Sequence, residues 1–110
     1  LTGDRDLIGT PSFLAPEQAL GLDELDPRCD IYSLGAVAYF IVTGVRVFDA
    51  EQPLQVVMQH VNDTPEPPST RTELSIPPVV DATILRCLEK SPENRPTARE
   101  LQAELAGWPS

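Results

Sequence analysis

Four polar side chains in this 110-residue chain stand where a hydroxyl or a charge can do more than face water: Thr10, Glu17, Asp30 and Arg95. Thr10 lies in Gly9-Thr10-Pro11-Ser12-Phe13, a loop in which its hydroxyl can serve a reacting group or simply stabilise a turn. Asp30 opens a long apolar segment, where the helix dipole favours a carboxylate and where it can act as an N-cap. Arg95, flanked by Pro92 and Pro96, would by itself read as a surface charge in a loop. Cys29 and Cys87 lack the paired spacing of a metal site and read as free thiols, buried or half-buried, in a reducing cytoplasm. His60, the one histidine, falls at the end of a helical pattern and reads as a helix C-terminal residue rather than a base. Asp23-Glu24, and Glu51 near Asp49, carry no pocket signature and read as solvated loop charges.

The elements that must position these groups are helical. Residues 1–16 mix glycine, proline, threonine and aspartate without periodicity, as a loop does. A short helical turn is predicted from Pro16 to Leu20, stopped by Gly21. From Asp30 to Gly44 the sequence is apolar nearly all round, which predicts a helix buried on every side, with Gly35 marking a close backbone approach. Leu54, Val57, Met58 and Val61 share one helical face, and Val80, Ile84 and Cys87 share another. Between them, residues 62–78 are too rich in proline for regular structure. The last helix begins at Thr97, with Glu100 completing a capping-box pattern and Trp108 placed to anchor its end. The prediction is one all-α domain of five helical pieces around one central helix, with no strand pattern and no internal repeat.

Composition narrows the function. Hydrophobic residues make up 41% and charged residues 23%, as in a globular domain. With 17 acidic against 8 basic side chains the formal net charge is −9, which repels nucleic-acid phosphates and anionic lipid, so neither is expected as a partner. The apolar run 34–42 is too short for a bilayer, which needs ~20 residues. No signal peptide is visible and the first residue is Leu1, so the chain reads as a piece of something longer and as cytoplasmic.

Three strings in order carry a resemblance: Thr10-Pro11-Ser12-Phe13-Leu14-Ala15-Pro16-Glu17, then Cys29-Asp30-Ile31-Tyr32-Ser33-Leu34-Gly35, then Glu89-Lys90-Ser91-Pro92-Glu93-Asn94-Arg95-Pro96-Thr97. Together they resemble the second half of the large lobe of a protein kinase, with the flavour of the bacterial serine/threonine kinases related to eukaryotic ones. The resemblance implies an activation-segment end at 1–17 and a helical subdomain at 18–110, without the small lobe. It also implies a buried ion pair between Glu17 and Arg95, and an Asp30 that accepts hydrogen bonds from the catalytic loop. Gly9, Thr10, Pro11 and Phe13 fall in the loop that cradles the substrate, with the Thr10 hydroxyl supporting the catalytic aspartate and a neighbouring lysine. Tyrosine kinases usually differ there, so serine/threonine specificity is implied. Thr2 occupies the stretch where activating phosphothreonines occur, while Asp4 stands near where relatives often have a second such threonine.

The sequence holds no Gly-x-Gly-x-x-Gly, Val-Ala-x-Lys, His-Arg-Asp or Asp-Phe-Gly. The expectation is therefore that ATP and magnesium serve the parent enzyme and that this chain alone binds neither, holds no metal and has no catalytic residue of its own. Its partners would be protein substrates and the N-terminal remainder of the kinase domain. A membrane anchor beyond Ser110 is left open. The alternative is a non-catalytic kinase-lobe remnant that binds proteins through the helix at residues 53–61. Thr10, Glu17, Asp30 and Arg95 together favour the enzyme.

Overall fold

The computed structural model describes residues 11–21 and 27–109. Five α-helices follow in order: α1 (Pro16–Ala19), α2 (Arg28–Thr43), α3 (Pro53–Asn62), α4 (Pro78–Cys87) and α5 (Ala98–Ala106). Short 3-10 turns occupy Pro11–Phe13, Pro68–Arg71 and Pro92–Asn94, and no strand occurs among the described residues.

Proline at the first position starts α1, α3 and α4, where its missing N–H would have had no intrahelical partner. Gly44 ends α2 in the left-handed region at φ 79°, its N–H returning to the Phe40 carbonyl at 2.7 Å. Thr97 and Glu100 close the predicted capping box on α5, with the Glu100 amide on the Thr97 hydroxyl at 3.1 Å and the Thr97 amide on Glu100 Oε1 at 2.8 Å.

The core gathers on one face of α2. Cys29, Tyr32, Ala36 and Tyr39 pack with Ala15, Val47, Phe48, Val80, Ile84 and Leu88. A second cluster joins Ile31 to Cys87 and Leu101, so α2 is the spine for both. Gly35 is the close approach that the sequence suggests: a Cβ there would sit 2.6 Å from Cys87 Cβ. Trp108 Nε1 donates to the Thr83 hydroxyl at 3.2 Å and ties the end of α5 to α4.

Three expectations need correction. First, α2 is not enclosed on every side, because Leu34, Val37, Phe40 and Ile41 are exposed, Ile41 to 73%. All-round apolarity says how much surface a helix can bury, and among the described residues nothing covers that face. Second, α3 does not bury the face of Leu54 and Met58, which are 70% and 47% exposed; it turns Val56 and His60 inward. Third, the proline-rich segment is not wholly irregular. It contains the turn Pro68–Arg71, held where the Ser69 amide donates to Asp81 Oδ1 at 3.0 Å and the Arg71 guanidinium donates to the carbonyls of Arg46 and Val47, each at 2.8 Å.

Candidate functional site

Glu17, on α1, and Arg95, just after the last 3-10 turn, lie 78 positions apart in sequence and meet in the interior. Arg95 Nη1 and Nη2 donate to Glu17 Oε2 and Oε1 at 2.7 and 2.8 Å, the bidentate geometry that suits guanidinium to carboxylate. The Arg95 side chain is 0% exposed and that of Glu17 is 6% exposed. Arg95 also donates to the carbonyls of Glu89 (2.8 Å), Arg28 (2.9 Å) and Lys90 (3.1 Å). A guanidinium has five N–H donors, and these five bonds occupy them all. The guanidinium also lies over the Tyr32 ring at 5.0 Å. One side chain thus fastens α1, the start of α2 and the segment after α4 together.

The loop ahead of α1 is fixed beside this pair. In the turn Pro11–Phe13, the Phe13 carbonyl accepts from the Ser33 hydroxyl at 2.6 Å, and the Phe13 ring packs partly buried against the core. Phe13 therefore offers backbone position more than side-chain surface. Thr2, Gly9 and Thr10 lie outside the described residues.

Asp30 is exposed and is the third residue of α2, which starts at Arg28, so it is not the N-cap; Pro27 holds that position. In the first turn it still meets the favourable end of the helix dipole. Its side chain is free of the core, apart from a long contact with Cys29 Sγ at 3.8 Å.

His60 lies in the last turn of α3, as its pattern predicts, but its burial is what sequence reasoning missed. It is 0% exposed, with Nδ1 only 2.6 Å from the Tyr32 hydroxyl and the ring edge-on to Phe48 at 5.0 Å. Burial is the main cause that pushes its pKa down to about 4, and the Lys90 charge adds to the effect. A hydrogen-bonding contact from the Ser12 backbone opposes it, as an accepting carbonyl does. Nε2 has no hydrogen-bond partner among the described residues. Lys90 donates to the His60 carbonyl at 2.8 Å and sits 5.0 Å above the Phe48 ring, its own pKa lowered to about 8 chiefly by burial. A signal was present in the sequence: His60 lies four residues after Val56, on the face opposite the more conspicuous Leu54 and Met58.

Burial also raises both thiols, Cys87 to about 11, so neither is poised as a nucleophile. Among the described residues no three His, Cys, Asp or Glu side chains come together. No helix among them is long and apolar enough to cross a membrane.

The model of the protein kinase domain matches residues 3–105. The chain is 47% identical over 106 residues to the serine/threonine-protein kinase PknB of Mycobacterium tuberculosis, and 49% identical over 106 residues to that of Mycobacterium leprae. It is 42% identical over 99 residues to the serine/threonine-protein kinase PksC of Streptomyces coelicolor. These alignments cover 96%, 96% and 89% of the chain but only 17% of each relative. With its helices built as in the large lobe of the kinase fold, the chain belongs to the protein kinase domain family and is similar to its bacterial serine/threonine members.

Proposed function

We propose that this chain is the substrate-side part of a serine/threonine protein kinase, spanning the end of the activation segment and the helical subdomain that supports it. Phosphoryl transfer depends mainly on positioning and electrostatics, so a rigid platform under the substrate loop is part of the catalytic apparatus. The observation that carries the reading is the Glu17–Arg95 pair, which holds the residues just after the loop on the helical body. In this reading Gly9, Thr10, Pro11 and Phe13 border the protein substrate, and Thr10 supports the catalytic aspartate of the parent. Asp30 anchors the catalytic loop from its exposed place on α2. Thr2 is the candidate for activating phosphorylation. ATP and magnesium serve the parent through residues outside this chain, which contributes no nucleotide cradle.

A second role has one observation in its favour. The exposed Leu54 and Met58 on α3 give the protein-binding reading a surface, and that surface is compatible with the kinase reading. Calorimetric titration with Mg-ATP separates the parts. The complete kinase domain should bind saturably and the 110-residue chain should not. Micromolar binding to the chain alone would sink the proposal.

A further inference from the structure

We infer that His60 is a positioning residue for the substrate loop, its Nε2–H latching the Ser12 carbonyl while Tyr32 fixes the ring; this rests on the kinase reading above. The chain of argument begins with the tautomer. The Tyr32 hydroxyl is buried, its ionisation suppressed mainly by desolvation, and it faces His60 Nδ1 at 2.6 Å. A neutral imidazole has one donor and one acceptor nitrogen. With the phenol donating to Nδ1, the proton resides on Nε2, the one ring atom still lacking a well-formed partner.

The helix that carries this leftover donor, α3, packs against the turn Pro11–Phe13. The Ser12 backbone acts on the ring as an acceptor, and Ser12 is the middle residue of the turn Pro11–Phe13. A buried donor without a full hydrogen bond carries a desolvation penalty, so shortening this contact is favourable. The neighbouring carbonyl, that of Phe13, is already taken by Ser33 at 2.6 Å. The turn is therefore gripped at successive carbonyls from two helices, Ser33 on α2 and His60 on α3. Phe48 and Tyr32, both edge-on to the imidazole, leave it little freedom to rotate away. The charged groups nearby are Lys90, whose ammonium bonds the His60 carbonyl, and Arg95, over the Tyr32 ring.

The test uses the complete kinase domain. His60→Phe preserves volume without the donor, His60→Gln places an amide N–H near Nε2, and His60→Asn places one near Nδ1 instead. For His60→Phe and His60→Asn the KM for a protein substrate should rise roughly tenfold, the size of a lost buried hydrogen bond. The KM for ATP should stay within about twofold, and His60→Gln should recover most of the loss. Independently of activity, NMR should show the Nε2–H tautomer, and backbone order parameters at Ser12 and Phe13 should fall from about 0.85 toward 0.6 in His60→Phe. Unchanged order at Ser12, an Nδ1–H tautomer, or equal changes in both KM values would overturn the latch. Absence of phosphoryl transfer by the unmodified domain would instead refute the kinase reading, leaving the order parameters to judge the latch.

Discussion

Removing either half of the Glu17–Arg95 pair should be costly, and the two halves should not cost the same. Glu17→Ala leaves a guanidinium with 0% side-chain exposure facing a void, although three carbonyls still accept its N–H groups. Breaking a buried pair in this way destabilises by ~3–5 kcal/mol. Arg95→Ala removes the bidentate donor from the Glu17 carboxylate and also deprives the carbonyls of Glu89, Arg28 and Lys90 of a donor, each at ~1–3 kcal/mol unless water reaches it. It should therefore reach or exceed the top of that range. The double variant has no orphan charge, so it should lose less than the sum, with a coupling of ~2–3 kcal/mol. Denaturant unfolding of the complete kinase domain measures all four corners of the cycle. Additive losses, or single losses within about 0.5 kcal/mol, would refute the buried pair and with it the fastening of α1 to the helical body.

His60 makes stability depend on pH. Its pKa is about 4 in the fold against 6.5 for an ordinary histidine, so the unfolded chain takes up a proton first as pH falls. This contribution is complete above about pH 6.5 and is lost progressively down to pH 4, by about 3 kcal/mol, and His60→Phe should abolish that part of the profile in urea unfolding. Gly35→Ala should destabilise by ~1–3 kcal/mol despite better helix propensity, because its Cβ would meet Cys87 Cβ at 2.6 Å. Cys87→Ala, which retains that Cβ, should not rescue it in thermal unfolding, and a rescue would show that the thiol rather than the backbone approach sets the limit.

Much of the architecture is legible because it is written locally. Gly44, the start at Pro16 and the Thr97–Glu100 box each act within a turn or two, and the structure shows the helix ends they predict. Gly35 is legible for a different reason, since glycine inside a helix is unfavourable unless something needs the space. What the pattern misreads is orientation. On α3 the apolar Leu54 and Met58 outweigh Val56 and His60 by composition, yet the interior already held Tyr32, which supplies a hydrogen bond for a histidine and none for a leucine. A periodicity argument counts apolar side chains and has no entry for a polar partner 28 positions away. Asp30 shows a smaller version of the same limit: Pro27 adopts a helical φ of −52° and starts α2 earlier than the carboxylate suggests.

The central claim is that this segment serves a kinase acting on serine and threonine. The direct measurement is to incubate the complete kinase domain with Mg-ATP and a peptide library bearing serine, threonine and tyrosine acceptors, then locate the phosphates by mass spectrometry. The account predicts phosphate on serine and threonine and none on tyrosine. Phosphotyrosine, or no phosphopeptide above a control without enzyme, would contradict it.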